Sequence, residues 1–141
     1  MIIKQLSVFL ENKTGRLSEV SDLLGQAGIN MTAFSIADSS DFGILRVIVS
    51  DPETALNILK EHNFSASLTD VVCLSCPNKP GAMSKALAIL STENIQIEYL
   101  YAFSINQLAN IVIRPANVQK CIETLQKHEQ ELLKASDLYR L

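Results

Sequence analysis

The chain has 141 residues, of which 48% are hydrophobic and 19% are charged. This length allows one ordinary domain or two very small ones, and this composition excludes a disordered acidic chain. The formal net charge is −3, from 12 basic and 15 acidic residues, which argues against nucleic acid as a partner because nucleic-acid-binding proteins normally carry a basic face.

Local patterns predict the first elements of the chain. Apolar residues at every second position predict a strand at Leu6–Leu10. Apolar residues three and four positions apart then predict a helix over Leu17–Ala27, ended by a glycine. Two further strands are predicted at Ile29–Ala37 and Phe42–Val49, joined by a hairpin turn at Asp38–Asp41.

A second helix and a fourth strand follow. Asp51 is a candidate helix cap, and Pro52 suits the first helical position because its missing N–H has no partner there. The next strand begins within Ser65–Leu68, and we expect it to continue almost directly into the next strand, without a flexible linker.

The chain then repeats itself at an offset of 66 residues. The segment Asn12–Ser18, NKTGRLS, recurs at Asn78–Ser84 as NKPGAMS. Between Asn12 and Asn30, six of nineteen positions are identical to their counterparts. A period this long indicates two copies of one small domain and not a solenoid. The elements predicted in the second copy are a strand at Val72–Cys76, a helix at Met83–Leu90, strands at Ile95–Phe103 and Leu108–Ile113, a helix at Val118–Leu125, and a last strand within Glu131–Leu141.

The element order is therefore βαββαβ, twice, with predicted domains at 1–69 and 70–141. This order predicts an α+β fold of two ferredoxin-like units, each an antiparallel sheet with both helices on one face. The other face of each sheet is left bare. A bare apolar face is an interaction surface, so we expect a homodimer.

The repeated loop between the first strand and the first helix has the chemistry of an amino-acid site. Free N–H groups at a helix start favour a carboxylate. Gly15 and Gly81 let the backbone approach a ligand, and the amide oxygens of Asn12 and Asn78 can accept from an ammonium group. The structural alternative is an ordinary turn and helix cap.

Two stretches carry a resemblance to a known family. Leu10–Ser18 followed by Ala27–Met31, and Asn78–Met83 followed by Asn94-Ile95, resemble the loop and second-strand motif of ACT domains, so nearly the whole chain resembles a tandem ACT pair. Thr14 departs from the proline usual in the loop, and Gln96 stands where the first copy has Asn30.

The resemblance implies a non-catalytic regulatory protein that binds a free amino acid and regulates a metabolic enzyme. ACT domains bind ligands between paired domains, at the first loop and the start of the second strand. Carried over to this sequence, the implied site residues are Asn12, Gly15, Arg16, Leu17, Asn30, Met31, Asn78, Gly81, Ala82, Met83, Gln96 and Ile97.

Other functions compete with this one. An interaction subunit that needs no ligand, similar to the small subunit of acetolactate synthase, is the main alternative. An acylphosphatase needs a more glycine-rich phosphate loop, and an RNA-recognition motif needs aromatic residues on its central strands. We therefore expect no enzyme activity.

Neither a metal nor a membrane is expected. Cys73 and Cys76 have zinc spacing, but residues three apart on a strand point to opposite faces and too few further ligands exist, so no metal and no cofactor are expected. No apolar run approaches the roughly 18 residues that cross a bilayer, and no signal peptide is recognisable. Free cysteines suit a cytoplasmic location.

Overall fold

In a computed structural model the described residues are 1–39 and 41–141. Ser40, which belongs to the predicted hairpin turn, lies outside the described residues. The chain forms two compact units. The first unit consists of Lys4–Thr69 with Leu138–Leu141, and the second consists of Asp70–Asp137 with Met1–Ile3. The domain bounds 1–69 and 70–141 stay a prediction.

The first unit has the predicted βαββαβ order. Its elements are β1 (Ile3–Glu11), α1 (Arg16–Gln26), β2 (Met31–Asp38), β3 (Phe42–Val49), α2 (Pro52–Glu61) and the part of β4 (Ser65–Pro77) that ends at Thr69. The strand order is β2-β3-β1-β4, with antiparallel pairing of β1 and β2 to β3. The predicted cap is confirmed, because Asp51 Oδ1 accepts the Thr54 N–H at 3.2 Å and Pro52 follows at the first helical position.

The core of the first unit lies between one face of the sheet and the two helices. Alternate residues of β1 and β3 are fully buried there, as the period of two requires. The buried members of this core are Leu6, Val8, Leu10, Val20, Leu24, Ile29, Leu45, Val47, Val49, Ala55, Leu59 and Phe64.

The second unit repeats this arrangement. Its elements are the rest of β4, α3 (Ala82–Thr92), β5 (Ile97–Ile105), β6 (Leu108–Pro115), α4 (Val118–Lys127), β7 (Glu131–Leu132) and α5 (Ala135–Tyr139). The last two residues of α5 belong to the first unit. The strand order is β5-β6-β4-β7. The predicted last strand is therefore only two residues long, because the chain turns into α5 three residues after the buried Leu132.

The prediction that the second face of the sheet is bare is correct at one end only. On that face of the first unit, Phe9 and Phe42 are half exposed, whereas Gln5 and Ile48 are fully buried. At the end where β1 begins, the C-terminal residues join the unit, since the Tyr139 hydroxyl accepts the Lys4 N–H at 2.8 Å.

The turn between β1 and α1 has the same backbone in both copies. Gly15 and Gly81, which precede the two helices, have φ angles of 95° and 88°, a left-handed conformation that residues with a Cβ adopt only at a cost. In each copy the glycine carbonyl accepts the N–H four residues on, at 2.9 Å from Glu19 and 3.0 Å from Lys85.

Replacing either turn glycine by alanine should destabilise the protein. A Cβ at Gly15 or Gly81 would meet no atom of the described part of the chain within 4 Å, so the cost is that of the left-handed backbone alone, about 1–2 kcal/mol. Gly25→Ala is the matched control, because Gly25 lies inside α1, also has open space around it, and should gain about 0.5–1 kcal/mol. Urea unfolding checks this, and an equal effect of all three substitutions would contradict it.

Candidate functional site

Asn12 joins the β1–α1 turn to the β2–β3 hairpin. Its Nδ2 donates to Asp38 Oδ1 and to the Ser39 carbonyl, both at 3.0 Å, and its backbone N–H donates to the Asp41 carbonyl at 3.1 Å. Among residues 1–39 and 41–141, no side chain caps α1 at Gly15. The alternative interpretation of this segment, an ordinary turn and helix cap, is thus correct for the turn and wrong for the cap, because Asn12 orders the turn but does not cap the helix.

Arg16 is the charged residue at the centre of this region. Its Nη1 donates to Glu19 Oε2 at 2.9 Å, and its guanidinium carbon lies 4.3 Å from the centroid of the Phe64 ring, in cation–π contact. Its Nε is buried and has no hydrogen-bond partner among residues 1–39 and 41–141. Because a buried donor without a partner is costly, an acceptor that reached Nε would stabilise this arrangement.

A pocket of about 280 Å³ opens beside the turn, and we call it the loop pocket. It is lined by Leu10, Glu11, Asn12, Lys13, Thr14, Arg16, Leu17, Ile36 and Gly43. Lys13 Nζ lies 2.9 Å from Glu11 Oε2, and this hydrogen bond lowers the pKa of the Glu11 carboxyl, which is ionised at neutral pH. The pocket thus combines both charge signs with apolar side chains.

The loop pocket brings together three of the predicted site residues of the first copy, Asn12, Arg16 and Leu17. Gly15 lies in the same turn. Asn30 and Met31 do not line this pocket. Met31 begins β2 and Asn30 precedes it, so they lie five and six residues from Ile36, which is about 17–20 Å along a strand. The Asn30 Nδ2 instead donates to the Leu141 carbonyl at 3.3 Å, and Met31 packs against the core.

The second copy has the same turn, but Ala82 stands where the first copy has Arg16. The Asn78 N–H donates to the Gln107 carbonyl at 3.0 Å, as Asn12 does to Asp41, and Gly81 has the same left-handed backbone. Ala82 and Met83 pack against the core of the second unit. The Gln96 backbone carbonyl accepts the Ala116 N–H at 2.9 Å, and Ile97 begins β5.

Sequence reasoning missed the strand contribution to the loop pocket. Ile36 and Gly43 lie on β2 and β3, and the sheet register pairs Gly43 with Leu10 at the end of β1. The signal was present in the hairpin prediction, because an antiparallel register across the turn places the last residues of β2 beside the loop.

The three cysteines are free and buried. Burial raises the pKa of the Cys73 thiol to about 12 and that of the Cys121 thiol to about 11. In the part of the chain that the structure describes, no three His, Cys, Asp or Glu side chains are grouped so that they could hold a metal ion. No helix of the described residues is long and apolar enough to cross a membrane.

Comparison with known proteins identifies the family. The chain matches the model of the ACT domain pair over residues 1–141, and it therefore belongs to the ACT domain family, whose members are regulatory and non-catalytic. The predicted fold of two ferredoxin-like ACT units is confirmed. No curated protein matches the chain.

Two solved structures illustrate the range of similarity. Protein BT0572 from Bacteroides thetaiotaomicron is 55% identical with a TM-score of 0.97, over 100% of this chain and 98% of that one. The ligand-free regulatory subunit of aspartate kinase from Thermus thermophilus is 16% identical with a TM-score of 0.64, over 89% of this chain and 93% of that one. At this identity the second likeness shows the fold alone.

The buried thiols should resist alkylation in the folded protein. At about pH 8 a thiol with an ordinary pKa is roughly one quarter thiolate, whereas a pKa near 12 leaves about one in 10,000. Because the raised pKa reduces the reactive form at this pH, Cys73 and Cys121 should label with iodoacetamide only after denaturation. Mass spectrometry of samples labelled with and without guanidinium chloride measures this, and rapid labelling of native Cys73 would contradict it.

Proposed function

We propose that this chain is a non-catalytic regulatory protein that binds a free amino acid in the loop pocket. The observation that carries the proposal is the buried Nε of Arg16, which has no hydrogen-bond partner in the described chain and belongs to a residue lining a pocket of amino-acid size. A second copy of the same turn, in which Ala82 replaces the arginine, supports a dedicated role for Arg16 in the first copy.

The lining residues suit the groups of a free amino acid. The ligand carboxylate accepts from Arg16 Nε and from the N–H groups of the first turn of α1, where the helix dipole favours a negative charge. The ammonium group pairs with the ionised Glu11. The ligand side chain contacts Leu17 and Ile36, which favours an apolar amino acid.

Regulation then follows from a population shift. A ligand that binds one conformation or assembly more tightly than another shifts the population toward the tighter-binding form. The difference in binding free energy sets the size of this shift. A metabolic enzyme as the partner of this chain is part of the proposal, and the Thermus neighbour, named as a regulatory subunit of aspartate kinase, is an example of such a pairing on the same fold. A homodimer, a cytoplasmic location and ligand contacts by the remaining predicted residues are part of the proposal.

A second candidate is an interaction subunit that acts without a ligand. The observation that favours it is the exposure of Phe34 and Ile36, at 57% and 46%, on β2. This strand ends the strand order of the first unit, and an edge strand with exposed apolar side chains can pair with another protein.

A thermal-shift screen of the common amino acids tests the first candidate. A ligand at 100 times its Kd adds about 2.7 kcal/mol and should raise the Tm by roughly several degrees. Arg16→Ala should abolish the shift, and Ile36→Thr should reduce it. Asn12→Ala is a poorer test, because Asn12 also joins the turn to the hairpin.

Arg140→Ala is the matched control, because Arg140 is an exposed arginine outside the loop pocket. Its substitution should leave the ligand shift unchanged. If no amino acid changes the Tm of the unaltered protein, the amino-acid proposal fails and the interaction subunit is favoured. If Arg140→Ala reduces the shift as much as Arg16→Ala does, overall charge and not the pocket controls binding.

A further inference from the structure

The segment Leu138–Leu141 is bound to the first unit, and we call it the strap. It belongs to that unit, although the residues just before it belong to the second. The Tyr139 hydroxyl accepts the Lys4 N–H at 2.8 Å and donates to the Lys4 carbonyl at 3.5 Å. The Leu141 carbonyl accepts from Asn30 Nδ2 at 3.3 Å. The strap therefore connects the start of β1 with the residue that precedes β2.

The strap has one apolar anchor. Leu138, near the end of α5, is fully buried, yet it lies outside the core between the sheet and the helices. Gln5 and Ile48 are likewise fully buried outside that core, on the second face of the sheet. Because Tyr139 contacts Lys4, the neighbour of Gln5 in β1, the strap lies at this end of the second face. We call the place that it fills the strap slot.

Polar side chains at this end of the face distinguish the first unit from the second. Gln5 Nε2 donates to Ser7 Oγ at 3.0 Å, and Ser7 Oγ lies 2.9 Å from Thr69 Oγ1 in a further hydrogen bond. The residues 66 positions further along are Val71, Cys73 and Ala135. The second copy thus has no amide or hydroxyl side chain at these positions, and the βαββαβ unit does not require them.

The repeat does not require the strap either. In the first copy the strand continues without a break from Ala66 to Pro77. The position equivalent to Ala66 is Leu132, where β7 ends before the chain turns into α5. The strap is therefore an addition to the duplicated fold. An addition that covers part of one unit is suited to control access to that part.

The strap is held by few contacts. Its hydrogen bonds to Lys4 and Asn30 are exposed, and each such bond changes an equilibrium constant only about two- to twelvefold. At Asn30 the strap holds the side chain alone, because the backbone of Asn30 is bonded to Ser50 in both directions at 3.0 Å. Burial of Leu138 contributes more, about ten- to a hundredfold. A segment held in this way opens locally while the core stays folded.

We propose that the strap is autoinhibitory: it fills a peptide-binding slot at the starts of β1 and β2, and a segment of a partner protein replaces it when it opens. The partner segment is a short helical turn that ends in leucine and tyrosine, since these are the side chains that the strap slot holds. The inference does not rest on the amino-acid site proposed above, because Lys4 and Asn30 do not line the loop pocket.

The peptide ASDLYRL, which is the sequence of Ala135–Leu141, tests the strap slot in trans. In the intact chain the strap competes at an effective concentration of about millimolar, so a weakened strap should strengthen peptide binding. Leu138→Ala removes the buried anchor and should lower the apparent Kd about tenfold or more. Tyr139→Phe removes only the hydroxyl and should lower it about fivefold. Fluorescence anisotropy of the labelled peptide measures the Kd.

Two controls separate the strap slot from a general effect. Arg140→Ala changes an exposed residue of the strap and should leave the Kd unchanged. A peptide with alanine in place of its leucine should bind about tenfold more weakly to each variant. If Leu138→Ala does not fold, Tyr139→Phe keeps the test decisive, because it retains the ring and the buried leucine.

Three results would overturn the proposal. Absence of peptide binding to both strap variants up to about 10 mM would show that the strap slot accepts no segment in trans. Equal Kd values for Arg140→Ala and Tyr139→Phe would place the peptide elsewhere on the protein. Native-state hydrogen exchange gives the third: equal protection of the Leu141 and Val47 amides would show that the strap opens only when the whole unit unfolds.

Discussion

The left-handed turn at Gly15, repeated at Gly81, is the constraint on which the rest of each unit depends. It ends a strand and begins a helix within four residues, so the chain must reverse without a linker. Its backbone N–H at Asn12 bonds to the β2–β3 hairpin, and its glycine carbonyl accepts the first helical bond of α1. One short turn therefore sets the positions of three elements, and the same bonds recur in the second unit. This is the reason that the loop pocket opens beside it.

The element order was predictable from the sequence because each element has its own period. Strands of period two and helices of period 3.6 gave the βαββαβ order in both copies, and Asp51 and Pro52 marked the start of α2 correctly. The start of β2 was predicted two residues early. Ile29 is apolar and fits a strand pattern, but its N–H donates to the Leu24 carbonyl and closes the end of α1.

The same helix ending recurs and explains a second error. Ile95 was predicted to begin a strand, yet its N–H donates to the Leu90 carbonyl and β5 begins at Ile97. In both copies the preceding residue, Gly28 or Asn94, has a positive φ. An isoleucine in this position completes the helix and enters the core at once, so its hydrophobicity reports burial and not strand conformation. Periodicity alone cannot separate these two causes.

The site was predictable only as far as it follows one segment. The loop motif identified Asn12, Arg16 and Leu17, because they lie within six residues of each other. It could not identify Ile36 and Gly43, which lie beside the loop only through the pairing of β1 and β2 with β3. It also placed Asn30 with Asn12, although β2 separates them within the unit and Asn30 bonds to Leu141.

The difference between the two copies is the strongest argument about function in this chain. Both copies keep the left-handed glycine, the loop hydrogen bonds and the sheet register, which are the features that the fold requires. Only the first has an arginine at the helix start, Arg16, whose guanidinium packs on Phe64 and which lines the loop pocket. The carboxylate contact proposed for Arg16 therefore has no counterpart at Ala82, so the two copies differ in the chemistry they can offer a ligand although they share one fold.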